Sequence, residues 1–238
     1  MSIKDIELPN YHLRHELWNS ISHGVGALFG IVALILMLLK ICGIYPYNPL
    51  ATENPDFIYK IVASIIYAFG IISCMSVSCL YHGLAKNNGK RVFRVIDHDF
   101  VFVLVACTYS AFCLVPLREA SAWRGNIPYS GWIIFGVVWA LIALGISLNS
   151  VNIKKFSALS MSIYILAGWT IIFVSDAVIA TMGLNGFLLL LFGGITYTIG
   201  AILYGIGKKH SVWWHTVFHF FVLGGVILQF LSFYLYAL

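Results

Sequence analysis

Residues 213–237 read WWHTVFHFFVLGGVILQFLSFYLYA and contain no Asp, Glu, Lys or Arg. An α-helix rises about 1.5 Å per residue, so a stretch of this length extends for about 37 Å. The hydrocarbon core of a bilayer is about 30 Å thick. The sequence therefore predicts a membrane-spanning helix in this stretch.

Six more segments of the chain are similarly long, apolar and nearly free of charge. Hydrophobic residues make up 61% of the 238 residues and charged residues only 10%, and the mean hydropathy is +0.91. Soluble domains carry about 25% charged residues. We therefore predict an all-α integral membrane protein, a seven-transmembrane helix bundle, and exclude secreted toxins, cytosolic enzymes and nucleic-acid-binding proteins. The predicted spans are 20–41, 57–82, 96–116, 128–149, 156–180, 186–206 and 213–237.

The connections between these spans are short, and no linker or internal repeat divides the chain. We predict a cytoplasmic amino-terminal tail at 1–19 and a single seven-helix domain at 20–238. The tail is polar and lacks the apolar core and cleavage site of a signal peptide, so the first span is expected to be retained. The five cysteines form no CxxC pair, which argues against a disulfide framework or a thiolate zinc site.

The basic residues predict the orientation of the bundle. Cytoplasmic connections of membrane proteins carry an excess of Lys and Arg. One side would carry Lys4, Arg14, Lys86, Lys90, Arg91, Arg94, Lys154, Lys155, Lys208 and Lys209, and the other only Lys40, Lys60, Arg118 and Arg124. This asymmetry predicts a cytoplasmic amino terminus and an external carboxyl terminus in the cell membrane.

The histidines gather on the predicted cytoplasmic side, in the tail or at span ends, where histidine is also common as a solvated or capping residue. They are His12, His15, His23, His82, His98, His210, His215 and His219. The sharpest pattern is His215-Thr-Val-Phe-His219, because a separation of four residues puts both imidazoles on one helix face. A helix that supplies two zinc ligands uses this spacing, although two core histidines also occur at it.

Further ligands are expected at the same depth. His82 closes the second span and Asp97 opens the third, so both should approach the start of the seventh helix. Three imidazoles would leave one tetrahedral position for a water, which Asp97 could deprotonate as a general base. Alternatively, Asp97 pairs with Arg91 or Arg94. Ser78 lies one turn before His82 on the same face, where a serine also commonly bonds to its own helix.

Other polar residues compete for these roles. Asp99 could replace Asp97 if the third helix begins later, and His98 points about 100° away from Asp97. His23 is either a partner of the ligands or a core histidine held by a hydrogen bond. Asp176 is expected to lie too far from the cluster to be a ligand.

Taken together, these motifs resemble the hemolysin III family, the bacterial branch of the progestin and adipoQ receptor (PAQR) family. The resemblance runs nearly end to end and is carried by five segments in this order. They are Glu16-Leu-Trp-Asn-Ser-Ile-Ser-His23-Gly, Ser78-x-x-x-His82, Ile96-Asp97-His98, Gly193-Gly-Ile-Thr-Tyr-Thr-Ile-Gly200 and Trp214-His215-x-x-x-His219. The sequence departs from the family pattern at Asp99-Phe100, where apolar residues usually follow the aspartate–histidine pair.

The resemblance implies a Zn²⁺ ion bound by His82, His215 and His219 near the cytoplasmic membrane face. It also implies a water between the metal and Asp97, with Ser78 beside them. The activity proposed for the family is hydrolysis of lipid amide bonds such as those of ceramide, so a membrane lipid is the expected substrate or ligand.

Four functions come into question for a membrane protein of this kind, and the sequence favours two of them. A zinc-dependent lipid hydrolase comes first, and a receptor-like or membrane-homeostasis protein with a structural zinc comes second. A pore-forming lysin needs a soluble state, which seven apolar spans do not allow. A transporter should carry ionisable residues at the bilayer midplane, whereas here they gather at one face.

Overall fold

The computed structural model describes residues 3–207 and 211–238, and within them the chain is almost entirely helical. Lys208, Lys209 and His210 lie outside the described residues. The helices are α1 (Leu13–Ile41), α2 (Phe57–Gly83), α3 (Asn88–Leu114), α4 (Ser130–Val151), α5 (Ser157–Trp169), α6 (Ser175–Gly207) and α7 (Trp213–Ser232). Short 3₁₀ turns occupy Ile3–Asp5, Ala51–Glu53 and Thr170–Val174, and a π-helical turn at Phe233–Ala237 follows α7.

Two helices begin well before the apolar runs that predicted them. α1 starts at Leu13 instead of 20, and α3 starts at Asn88 instead of 96. The side chain of Asn87 accepts a hydrogen bond from the Lys90 backbone N–H at 2.8 Å and so caps α3. The added turns carry polar residues that point into the bundle, which is why a hydropathy criterion misses them.

The predicted spans 156–180 and 186–206 fall almost entirely within Ser157–Gly207, a helical stretch of 51 residues. Six segments of the described chain are therefore long and apolar enough to cross a membrane. The stretch is not continuous α-helix. Tyr109 donates a hydrogen bond to the Gly168 carbonyl at 2.6 Å and accepts one from the Ile171 N–H at 3.1 Å, which satisfies the backbone where α5 tightens into a 3₁₀ turn. Gly183 has φ 71° and ψ 170°, a conformation that interrupts α6 and favours glycine.

The outward surface of the bundle is apolar. Large side chains such as Leu28, Phe69 and Leu166 are each more than half exposed. A soluble protein rarely exposes so much contiguous apolar surface, and lipid is the solvent that removes this cost. The protein is thus a multi-pass integral membrane protein.

Packing inside the bundle brings three helix ends together. α1 packs along α2 and also contacts α7, α2 packs on α3, and α6 packs on α7. Glycine allows the closest approach between α1 and α2, since a Cβ built on Gly30 would lie 2.9 Å from Ile71 and 2.8 Å from Ile72. As a result, the first turns of α1 and α7 meet the last turn of α2.

Candidate metal centre

The meeting point holds three buried histidines. His82 lies in the last turn of α2, while His215 and His219 lie in the first two turns of α7. The Nε2 atom of His215 is 3.2 Å from Nε2 of His82 and 3.0 Å from Nε2 of His219. One ligand atom from each residue lies within 4.8 Å of the others, so the structure brings the three predicted ligands together.

Hydrogen bonds alone do not explain this cluster. Nδ1 of His82 is 2.6 Å from a carboxylate oxygen of Glu16, which can only accept, so Nδ1 carries the ring proton. In the neutral form of this ring, Nε2 carries the lone pair. Nε2 of His215 lies between Nε2 of His82 and Nε2 of His219. A ring nitrogen of a neutral imidazole can either donate a hydrogen bond or accept one, but not both. In neutral rings, a cation between the three Nε2 atoms would bind lone pairs that hydrogen bonds within the cluster cannot all satisfy.

This donor set fits a tetrahedral metal ion. Zinc–imidazole bonds of about 2.0–2.1 Å in a tetrahedral site separate the nitrogens by about 3.3 Å. The two observed separations, 3.2 and 3.0 Å, are close to that value. Three imidazoles also leave a fourth position open, as in zinc sites that perform catalysis.

The neighbouring aspartates of α3 have different surroundings. Asp97 has Ser78, His82 and Arg94 as its neighbours, and Ser78 interacts with its carboxylate. It makes no direct ion pair with Arg91 or Arg94 within the described residues. Asp97 therefore lies close enough to His82 to interact with it.

Asp99 faces α4 instead. Its carboxylate accepts hydrogen bonds from the Asn149 side-chain amide at 2.7 Å and from the Ser150 hydroxyl at 2.9 Å. Two acceptor oxygens of Asp99 are thus engaged in holding α3 against α4. Asp176 accepts a hydrogen bond from the Arg124 backbone N–H at 3.0 Å, in the connection between α3 and α4 at the opposite end of the bundle.

Sequence reasoning did not assign a site role to Glu16 or Lys90. Glu16 contacts both His82 and Lys90, and Lys90 is almost fully buried. A helical signal was present, because Glu16, Asn19 and His23 lie three and four residues apart and share one face of α1. His23 stacks on His219, with ring centroids 3.8 Å apart and an interplanar angle of 22°.

Aromatic rings enclose the histidines. Tyr11 stacks on His215 at 5.4 Å and lies 5.9 Å from His82, so the segment before α1 covers the cluster. Tyr81 and Tyr204 complete this wall, with ring centroids 4.6 Å from His82 and 5.2 Å from His215, respectively. Burial raises the pKa of the Tyr11 phenol, so this hydroxyl stays neutral at physiological pH.

An apolar cavity lies inside the bundle, beside the helix that carries two of the histidines. It lies between α3, α5, α6 and α7 and is lined by side chains including Leu104, Phe112, Ile165, Leu190 and Val222. Phe218 belongs to both regions, since it lines the cavity and its ring centroid is 6.2 Å from that of His219. The cavity therefore reaches the residue next to His219 on α7, but none of the three histidines lines it.

Similarity to known proteins assigns the chain to a family. Residues 11–230 match the family model described as "Haemolysin-III related". The chain is 31% identical over 215 residues to a "Hemolysin-3 homolog" of Bacillus subtilis (strain 168), covering 90% of this chain and 91% of that protein. It is 29% identical over 229 residues to "Hemolysin-3" of Bacillus cereus, covering 95% and 93%. The chain belongs to the haemolysin-III-related family of membrane proteins.

Proposed function

We propose that this protein is a PAQR-type, zinc-dependent hydrolase embedded in the cell membrane, and that it cleaves lipid amide bonds like that of ceramide, or lipid ester bonds. The observation that carries the proposal is the convergence of three histidine Nε2 atoms beside Asp97. His82, His215 and His219 would hold the ion.

The chemistry divides between the ion and the side chains. A bound zinc ion polarises a carbonyl and lowers the pKa of a water from about 15.7 to about 7. Asp97 takes a proton from the attacking water as its oxygen bonds to the acyl carbon, and then gives that proton to the leaving nitrogen or oxygen. The acyl carbon loses its bond to that atom, so the products are a fatty acid and an amine or an alcohol. Ser78 donates a hydrogen bond that steadies the Asp97 carboxylate.

The apolar cavity supports a lipid substrate. Burial of each methylene of an acyl chain contributes about 0.8 kcal/mol, and Phe218 lines both the cavity and the neighbourhood of His219. An acyl chain in the cavity would lie beside α7, the helix that carries His215 and His219.

We also propose seven membrane crossings, with a tail at 1–19 and a single seven-helix domain at 20–238. A continuous helix of 51 residues would be about 77 Å long, more than twice the hydrocarbon thickness, so the break at Gly183 divides Ser157–Gly207 into two crossings. The basic residues then place the amino terminus and the histidines on the cytoplasmic side, facing the inner leaflet. An external-side reporter fused at Leu238 should be active and one fused within 83–95 inactive, and the reverse result would overturn this orientation.

A receptor-like or membrane-homeostasis protein with a structural zinc is the second proposal. It is favoured by the ring of His23, which lies directly on His219 and adds a fourth imidazole to the cluster. In that case the metal ties α2 to α7 and no bond is broken.

The Asp97→Asn variant separates the two proposals. Asparagine has nearly the same shape but is not a general base, so the variant should be folded, bind zinc, and hydrolyse lipid about 10²–10⁴-fold more slowly. The measurement is zinc content together with product release from a panel of ceramides and phospholipids. Asp99→Asn is the matched control, since Asp99 bonds to α4, and it should retain turnover.

Two results would contradict the hydrolase. Unchanged turnover in Asp97→Asn would remove the proposed base, and equal losses in both variants would mean that the carboxylate is misassigned. A zinc-loaded wild type that releases no product from any lipid would instead support the structural zinc.

A further inference from the structure

A buried ion pair lies behind one of the three histidines. Glu16 Oε2 is 2.6 Å from Nδ1 of His82, and Glu16 Oε1 is 2.6 Å from Nζ of Lys90. The side chain of His82 is 0% exposed, that of Lys90 is 4% and that of Glu16 is 13%. We propose that Glu16 and Lys90 are positioning residues that fix the ring of His82, an inference that rests on the proposed metal site.

Glu16 determines which nitrogen of His82 can bind a metal. A carboxylate accepts the Nδ1 proton, so it leaves the lone pair on Nε2, which points toward His215. A contact of 2.6 Å to a charged acceptor also restricts rotation of the ring. Without Glu16, the ring can rotate and either nitrogen can carry the proton.

Lys90 determines where Glu16 lies. Its ammonium group donates to Glu16 and also to the Leu84 carbonyl at 2.9 Å, at the carboxyl end of α2 just beyond His82. It lies 5.3 Å from the centroid of the Tyr81 ring. A buried lysine is costly unless it is paired, and here each polar contact fixes the carboxylate relative to the end of α2.

The other two histidines lack such a partner. Within the described residues, neither Nδ1 of His215 nor Nδ1 of His219 makes a hydrogen bond to a side chain, and His219 interacts with the backbone of Asn19. Their positions follow from a common helix instead. The ion pair therefore acts on the one ligand that does not come from α7.

The test is metal affinity of the full chain in detergent, measured with Zn²⁺ by competition against a chelator, together with the visible absorption spectrum of the Co²⁺-loaded protein. Loss of a carboxylate that orients a metal-binding histidine typically costs 10–100-fold in affinity. Glu16→Gln should weaken binding by this factor and alter the cobalt spectrum. Lys90→Met should act in the same direction, and the double variant should be no weaker than Glu16→Gln, since Lys90 acts through Glu16.

The matched control is Glu7→Gln, the same substitution in an exposed Glu–Lys pair, which should leave affinity and spectrum unchanged. Full zinc affinity and a wild-type cobalt spectrum in Glu16→Gln would overturn the positioning role and leave the proposed hydrolase standing. A wild type that binds neither ion would overturn the metal site itself and this inference with it. If Glu16→Gln does not fold, the zinc affinities of Lys90→Met and Lys90→Arg are compared instead. Weaker binding in Lys90→Met than in Lys90→Arg would support the positioning role, because only the arginine keeps a positive charge beside the carboxylate. Equal affinities would overturn it.

Discussion

The two halves of the histidine cluster are held in place by different means. His215 and His219 are four residues apart on α7, so the helix alone puts both rings on one face. His82 comes from the end of α2, and its ring contacts Glu16 of α1, which in turn contacts Lys90 of α3. One half of the cluster is thus specified within a single helix, while the other depends on contacts among three helices.

This difference determines how each half of the cluster responds to substitutions. A helix turn on α7 is stabilised by its own backbone hydrogen bonds and by packing along α6. The ring of His82 has rotational freedom that only side-chain contacts remove. Changes near α1 or α3 should therefore affect His82, whereas only changes on α7 itself should remove the pair.

The largest effect is expected from the α7 half. The double variant His215→Ala, His219→Ala removes two of three ligands, so zinc binding should be lost. Binding to the folded state adds about 2.7 kcal/mol of stability when free zinc is 100 times the dissociation constant, so the rise in melting temperature on adding zinc should vanish too.

Zinc content and thermal unfolding with and without zinc measure both effects. His12→Ala is the control, because His12 is exposed in the segment before α1 and should not change either quantity. Full zinc occupancy in the double variant would rule out the metal centre.

A smaller effect is expected at the cover of the site. Tyr11 contacts His215 and His82 with its ring and is not one of the three proposed ligands. In Tyr11→Ala, a chelator should extract zinc faster, while occupancy at saturating zinc stays at the wild-type level. Tyr11→Phe keeps the ring and should extract at the wild-type rate. Equal extraction rates in all three proteins would show that the segment before α1 does not limit access.

The α7 half of the site could be predicted from sequence and the α2 half only in part. The His215–His219 spacing is a local pattern, and His82 was predicted because it ends an apolar run. The sequence predicts that Lys90 lies in a loop. Its burial cannot be predicted locally, because it depends on α3 starting at Asn88 and packing beside α1. A local sequence pattern does not report such a contact between helices.

The neighbouring aspartates show the same limit. Sequence reasoning preferred Asp97 and left Asp99 open, because both lie near the predicted start of a helix. Their surroundings differ through tertiary contacts, because Asn149 and Ser150 of α4 donate hydrogen bonds to Asp99.

The helical spans are easier to predict than the site, because composition alone shows where lipid-facing segments lie. The helix Phe57–Gly83, for example, agrees closely with the predicted span 57–82. The 3₁₀ turn at Thr170–Val174 has no such compositional signal.

The smallest effect is expected at the exposed counterpart of the buried ion pair. Glu7 and Lys154 are 2.9 Å apart, but their side chains are 72% and 78% exposed, against 13% and 4% for Glu16 and Lys90. Breaking a buried pair by removing one partner costs about 3–5 kcal/mol, whereas water and salt screen an exposed pair. Glu7→Gln should therefore leave the melting temperature at pH 7 unchanged within error, while Glu16→Gln lowers it clearly.

The pH dependence of Glu7 has a defined sign. Its hydrogen bond to Lys154 holds the pKa of the Glu7 carboxyl below the usual 4.5. A depressed pKa in the folded state stabilises the fold above the unfolded-state pKa and stops doing so as the pH falls through the folded value. Any difference between wild type and Glu7→Gln should therefore be full above about pH 4.5, disappear as the pH falls through the lower folded-state pKa, and shrink in high salt. Melting curves from pH 3 to pH 7 at two salt concentrations measure it, and a loss as large as that of Glu16→Gln would mean that exposure does not distinguish the two pairs.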